Sequence, residues 1–346
     1  MKVRGELIPL AVTLLAAAII AFSGIMHGRQ GPAGPDCPVI SCVLDIKCLS
    51  DSSSALIAGF NYHILQNFAS SCGMEIHISF AEEGMEYRDS LISGSLDLMT
   101  VPIFKTITED GLPSSFPIDS LTVLLAGPDK ERLIQSFNDW YEDWSRTDDF
   151  LAAKDMFLIH PSPFSDSGRS FISPYDPLIK AHADSTGTDW RFLAAVMYKE
   201  SRFHIEAGSH RGAVGLMQIK PSTARYLEID NPADPEENIK AGAMYISRLE
   251  RYYRRKAADG EELRKFVLAA YNAGMGRIDE CMSYAELRGK DSSRWEEITD
   301  VIPEMSDSSV VESGVLKYGR FLGKETIYFV DKVTDLYHQF YRICPD

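Results

Sequence analysis

Cysteine is scarce in this chain, with six in 346 residues. Cys37, Cys42 and Cys48 lie close together, but without the C-x2-C spacing or nearby His that a tetrahedral zinc site needs. They read as disulfide-forming or free thiols; six cysteines suit an oxidising compartment without fixing any pairing. Positive charge is also short, at 35 Lys and Arg against 50 Asp and Glu, a net −15. That excludes a nucleic-acid partner, which would meet a basic face. It also argues against electrostatic capture of an anionic polymer, so an acidic substrate would be held by hydrogen bonds and packing. Beyond Met26 no apolar run is long enough to span a bilayer. The chain has no His-Glu-x-x-His, Gly-x-Ser-x-Gly or phosphate-loop pattern, which removes three common enzyme classes. His204 and His210 are off helical spacing and read as surface histidines. What remains is a globular composition, 45% hydrophobic and 25% charged, with length for roughly two domains.

The front of the chain speaks to location. Lys2 and Arg4 precede an apolar run from Leu7 to Phe22 that extends loosely to Met26. Ala21-Phe22-Ser23 offers a small-x-small cleavage site, so residues 1–26 read as a secretory signal peptide or as a membrane anchor retained through residues 7–26. Both readings imply export to the periplasm or cell envelope, the second with membrane association. No Leu-x-x-Cys acylation pattern is present.

Residues 27–37 are a Gly/Pro-rich tether. From 38 to 155 the pattern alternates between periods of two and of 3.6. Strands are expected at Val39–Ile46, Ile76–Phe80, Leu96–Val101 and Leu121–Ala126. Helices are expected around Ile57–Phe68, Tyr87–Ile92 and Leu133–Trp144, with Gly73 and Gly94 as stops. This predicts a small parallel or mixed α/β sheet. Residues 156–177, with Pro161, Pro163, Pro174 and Pro177, form a linker. Residues 178–346 are mainly helical, so the fold class is α+β overall: a small α/β domain followed by a mainly α domain.

Chemistry concentrates in the helical half. Asp189 caps a helix on which Leu193, Val196, Met197 and Glu200 share one stripe. A carboxyl set in an apolar face has its charged form disfavoured, which suits a general acid. The bland alternative is a Glu paired with an inward Arg, or one that reaches water at the helix end. Next comes Gly212-Ala-Val-Gly215-Leu-Met217-Gln218-Ile-Lys-Pro221-Ser-Thr223. It is a glycine-punctuated loop that can approach a ligand closely, with Gln218 offering donor and acceptor. Third is Ala269-Ala-Tyr271-Asn272-Ala-Gly274, where a helix ends in a Tyr-Asn pair.

Two resemblances follow. The run from Phe60 to Val101, closed by Gly-Ser-Leu-Asp-Leu-Met, resembles one lobe of an extracellular solute-binding domain. Its second lobe is missing, so residues 38–155 are expected not to bury a small ligand by closing. The three elements from Glu200-Ser201 to Ala-Tyr-Asn-Ala-Gly274 resemble the lysozyme-like lytic transglycosylases of the soluble-lytic-transglycosylase type. A truncated solute-binding lobe ahead of such a domain is similar to the membrane-bound members.

That resemblance implies cleavage of the N-acetylmuramic acid–N-acetylglucosamine β-1,4 bond of peptidoglycan glycan strands, leaving 1,6-anhydro ends, without metal or cofactor. Within it Glu200 is the catalytic acid/base. Ser201, Met217, Gln218, Tyr271, Asn272 and Glu325 are substrate-binding. The family's late Glu-Thr-x-x-Tyr-Val element reads Glu325-Thr-Ile-Tyr-Phe329-Val330, so the hydroxyl is displaced by one residue. A hydrolytic muramidase on the same fold and a non-catalytic glycan-binding module are the alternatives.

Overall fold

The computed structural model describes residues 38–50, 54–107, 111–165 and 170–345. The predicted signal or anchor segment, the tether and Cys37 lie outside them. Two compact units are present: residues up to Leu178 together with His204–Ala207, and Ile179–Phe203 together with Gly208 onward.

In the first unit the elements run β1 (Val39–Leu44), α1 (Lys47–Ser50), α2 (Ile57–Ser71), β2 (Glu75–Phe80), α3 (Arg88–Ser93), β3 (Leu98–Pro102), β4 (Thr122–Ala126), α4 (Glu131–Trp144) and α5 (Asp148–Lys154). The strands form one sheet in the order β2-β1-β3-β4. Of the two sheet types left open by the sequence, this is the mixed one. β1 runs parallel to β2 and β3, and β4 returns antiparallel beside β3. Val43 lies opposite Met99, and Met99 opposite Leu125. These residues and Leu91 of α3 pack as one apolar cluster. β3 and β4 are buried along their whole length, which explains why they read as continuous apolar runs rather than alternating ones.

Helices α2 and α4 meet through Phe68 and Phe137, whose rings cross edge-on at 5.2 Å. The buried face of α4 carries Ile134 and Phe137. Leu133, expected on that face, is only half-buried, because Ile134 and Phe137 complete an i, i+3 pair. Gly94 ends α3 at φ +74°, the left-handed turn its sequence position called for.

The second unit is helical: α6 (Asp176–Thr186, starting three residues earlier in the first unit), α7 (Trp190–Ser201), α8 (Pro221–Leu227), α9 (Pro235–Tyr253), α10 (Gly260–Ala273), α11 (Met275–Leu287), α12 (Trp295–Val301), α13 (Ser308–Glu312) and α14 (Lys324–Ile343). The chain is thus α+β, a small sheet domain followed by a helical one, as the sequence predicts. α7 sits at the centre of the second unit, with every residue from Arg191 to Tyr198 buried. A helix buried all round is a core element. α14 packs along α7 and α10, and α10 also packs on α9 and α11. Even Arg191 is covered, and it donates to the carbonyl of Cys344 at 2.9 Å.

Cys42 and Cys281 are buried free thiols and Cys72 is an exposed one. Burial pushes the Cys281 thiol up to about 12, so it packs as a small apolar group. Among the described residues no helix is long and apolar enough to cross a membrane. No three His, Cys, Asp or Glu side chains gather there into a metal-binding group.

Candidate active site

α7 begins where the Asp189 carboxylate accepts the Arg191 N–H at 2.9 Å, as its capping role requires. One stripe of the helix, Leu193, Val196 and Met197, is fully buried. The next residue on that stripe is Glu200, half-buried one position from the helix end. Among the described residues its carboxyl makes no hydrogen bond or ion pair. Burial pushes its pKa up to about 7, against weaker lowering by the Lys199 and Lys220 ammonium groups. The alternative of a Glu neutralised by an inward Arg therefore does not describe this residue. The group therefore keeps its proton to a higher pH than an ordinary carboxyl, which suits a general acid.

Backbone strain marks the residues that follow. Arg202 and Phe203 both lie in the left-handed region, at φ +54° and +69°, a conformation that costs an aromatic residue energy. Two features hold it. Phe203 is fully buried against the Tyr198 ring, 5.2 Å away. The Ser201 hydroxyl donates to the Met197 carbonyl at 3.2 Å and accepts the Phe203 N–H at 3.1 Å. Ser201, expected at the substrate, is buried and fixes the end of the helix that bears Glu200.

The glycine-rich loop is held from behind by a residue that the sequence did not single out. Asn238, in the first turn of α9, is fully buried. Its Oδ1 accepts the Met217 N–H at 2.7 Å, and its Nδ2 donates to the Val214 carbonyl at 2.9 Å and the Pro232 carbonyl at 2.5 Å. Gly215, at φ +73°, leaves room for it, since a Cβ there would come within 2.5 Å of Nδ2. Met217 points inward: its side chain is fully buried against Gly242, where a Cβ would lie 2.6 Å from its methyl carbon. It shapes the loop from below, and its side chain lines no open surface. Gln218 is only half-buried, at φ +48°, and its amide donates back to the Gly215 carbonyl at 3.0 Å.

Tyr271 and Asn272 end α10 and reach in two directions. The Tyr271 hydroxyl donates to the Met217 carbonyl at 2.6 Å. Burial raises its pKa well above the usual phenol range and the Glu200 charge adds to that, so the phenol stays neutral and beside the carboxyl. Asn272 Oδ1 accepts from the Thr326 hydroxyl at 2.9 Å, tying α10 to the first turn of α14. Glu325 is exposed in that turn. One turn on, Phe329 is buried while Tyr328 is 57% exposed, and the Lys199 Nζ lies 5.4 Å from the Phe329 ring centre. The displaced hydroxyl at 328 is thus turned towards solvent, and position 329 offers only an apolar ring.

The structure therefore brings Glu200, the 212–218 loop and Tyr271 together, with Asn272 and Thr326 joining that group to α14. Asn238 stands in no motif that would have flagged it, whereas Thr326 lies inside the Glu325-to-Val330 element without having been singled out.

Residues 177–293 match the family described as Transglycosylase SLT domain. Membrane-bound lytic murein transglycosylase F of Desulfosudis oleivorans is 34% identical over 166 residues, 47% of this chain and 35% of that protein. The protein of the same name from Maricaulis maris is 36% identical over 163 residues, 46% of this chain and 35% of its own length. That from Pseudomonas fluorescens is 27% identical over 221 residues, covering 62% and 45%. The chain thus spans less than half the length of these relatives. The solved 70-kDa soluble lytic transglycosylase of Escherichia coli matches at 22% identity and a TM-score of 0.35, covering 64% of this chain and 31% of that one. Residues 177–293 of the helical unit, which hold Glu200 and the glycine-rich loop, thus match the transglycosylase SLT domain family and are similar in sequence to the membrane-bound lytic murein transglycosylases F.

Proposed function

We propose that the chain is a cell-envelope lytic transglycosylase that cuts peptidoglycan glycan strands at the N-acetylmuramic acid–N-acetylglucosamine β-1,4 bond, with Glu200 as the sole acid/base. The observation that carries this is the environment of Glu200: a carboxyl near pKa 7 acted on chiefly by burial and two lysines. A retaining hydrolase typically needs a second carboxylate about 5–5.5 Å away as nucleophile. The groups that act on Glu200 are instead the Lys199 and Lys220 ammonium groups, with the Tyr271 phenol feeling its charge.

In the first step Glu200 gives its proton to the glycosidic oxygen as the C1–O bond breaks. The N-acetyl carbonyl oxygen of the muramic acid bonds to C1 from the other face. In the second, the Glu200 carboxylate takes the proton of the C6 hydroxyl, O6 bonds to C1 and the acetamide is released. The sugar leaves as a 1,6-anhydro ring and Glu200 ends protonated, ready for another cycle. Intramolecular attack has a high effective molarity, reaching about 10⁵ M or more in well-oriented cases, which favours it over water. Gln218, Asn272 and Glu325 are the polar side chains that would hold the strand. The apolar run at residues 7–26 is proposed to export the protein or anchor it.

Mass spectrometry of products from purified sacculi in ¹⁸O-labelled water tests the outcome. Anhydro ends without label are expected. Labelled reducing ends would make the protein a muramidase, and intact sacculi with a folded protein would leave it a glycan-binding module.

A further inference from the structure

α9 ends in a cationic strip that the acid/base chemistry leaves unused. Arg248 is half-buried, and Arg251 and Arg255 are exposed. Among the described residues none of the three forms an ion pair. By contrast the neighbouring Lys256 is neutralised by Asp279 at 2.7 Å. In a chain of net charge −15, these three guanidinium groups fall within eight residues of sequence. Complementing the helix dipole, an effect that falls off within the last turn, accounts for Arg251 alone. Arg248 lies before the last turn of α9 and Arg255 lies beyond its end.

The strip connects to the active site through tyrosines. Arg248 stacks on the Tyr226 ring with its central carbon 4.6 Å from the centroid, and it donates to the Tyr226 carbonyl at 3.3 Å. Tyr226 is 63% exposed. It is also close enough to Tyr245 to help raise the pKa of that phenol. The Tyr245 ring lies 5.5 Å from that of Tyr271, the residue beside Glu200. The ring contacts themselves are Arg248 on Tyr226 and Tyr245 on Tyr271. A stacked guanidinium keeps its N–H edges free, and those edges match a carboxylate.

We infer that Arg248, Arg251 and Arg255, with the ring of Tyr226, form an outer subsite for the carboxylates of the peptide branches on the glycan strand. This rests on the transglycosylase reading. The exposed ring supplies a stacking face for a sugar, and the forks supply charge-assisted hydrogen bonds to its peptide. The protein would thereby prefer strands that still bear their peptides, despite its overall negative charge.

The test reads binding without turnover. Full-length Glu200→Gln protein is titrated by fluorescence anisotropy with two sets of labelled soluble strands, one bearing its peptides and one stripped by an amidase. Peptide-bearing strands are expected to bind about tenfold tighter at low salt, with the preference shrinking as salt screens it. Adding Arg251→Gln and Arg255→Gln, both at exposed positions, should remove the preference and leave affinity for bare strands and the unfolding midpoint unchanged. Equal affinity for both strands in the parent protein would overturn the subsite, as would an equal loss on both in the variant. A third arm uses phosphatidylglycerol vesicles. Loss of vesicle binding in the variant while the strand preference persists would assign the strip to a membrane and overturn it as well. Failure of the transglycosylase reading would show separately, as wild-type protein that forms no anhydro product while the preference persists.

Discussion

Glu200 meets two demands that pull apart, since a good acid at neutral pH is a poorly stabilised carboxylate. Its folded pKa near 7 stands above the ordinary 4.5. The fold therefore favours the protonated form, and this stabilisation is fully present below about pH 4.5 and is lost as pH rises through 7. Glu200→Gln keeps the shape and removes the ionisation. It should abolish anhydro-product release, by about 10²–10⁴-fold or more, while raising stability above pH 7 by about 1–3 kcal/mol. Denaturant titrations of both proteins at pH 5 and pH 8 check the second effect: the gap should open only at the higher pH. Wild-type kcat/KM should fall with pH through 7 as the acid form is lost. Tyr271→Phe is a milder change. It removes the 2.6 Å bond to the Met217 carbonyl and should cost about 1 kcal/mol in thermal unfolding, with a larger loss in kcat than in KM because the loop is no longer fixed beside Glu200. Glu200 was legible in the sequence because a carboxyl on an apolar stripe is rare enough to stand out. Ser201 and Met217 were legible as positions but not as roles: whether a side chain faces the substrate or the core is set by backbone turns, here the left-handed pair at 202–203, that no spacing encodes.

The 212–218 loop, its Pro-initiated helix and the Tyr-Asn helix end are local motifs, and each stands where its residues place it. What holds them is not local. Asn238 makes three hydrogen bonds to the backbone at 214, 217 and 232, and its position follows only from packing α9 behind the loop. Asn238→Ala would take the side-chain partner from the Met217 N–H and the Pro232 carbonyl in a buried site, while the Val214 carbonyl keeps the Ile219 N–H at 3.0 Å. A loss of about 2–4 kcal/mol is expected, together with reduced turnover at unchanged pH dependence, measured by urea unfolding and product release. Gly215→Ala attacks the same contact from the other side, through both φ +73° and the 2.5 Å approach to Asn238, and should cost a similar amount. In the sheet, the strands were readable from their apolar runs. The antiparallel return of β4 was not, because direction depends on the path of residues 103–121 rather than on composition.

Across the whole molecule the chain alternates strand and helix, then turns helical, and that change of period was plain in the sequence. Among its described residues the first unit has one four-stranded sheet, and the proposal from its sequence is that it does not close over a small ligand. Calorimetric titration of the full chain with free amino acids should therefore give no saturable heat; a micromolar affinity would restore a sensing role to this unit. Membership of the units holds a less obvious feature. The chain leaves the helical unit after Phe203, gives His204–Ala207 to the first unit and rejoins the helical unit at Gly208. Within the first unit, Ile205 is buried and the Glu206 charge helps raise the pKa of Tyr175. The departure comes only three residues after Glu200, through the strained pair that ends its helix. For recombination this means that no single cut in the sequence separates the residues of the two units. A cut at residue 178 that exchanged the front domain would also exchange the surroundings of His204–Ala207, just after the helix that carries Glu200, so such chimeras should survive only when the new front domain accommodates that short segment.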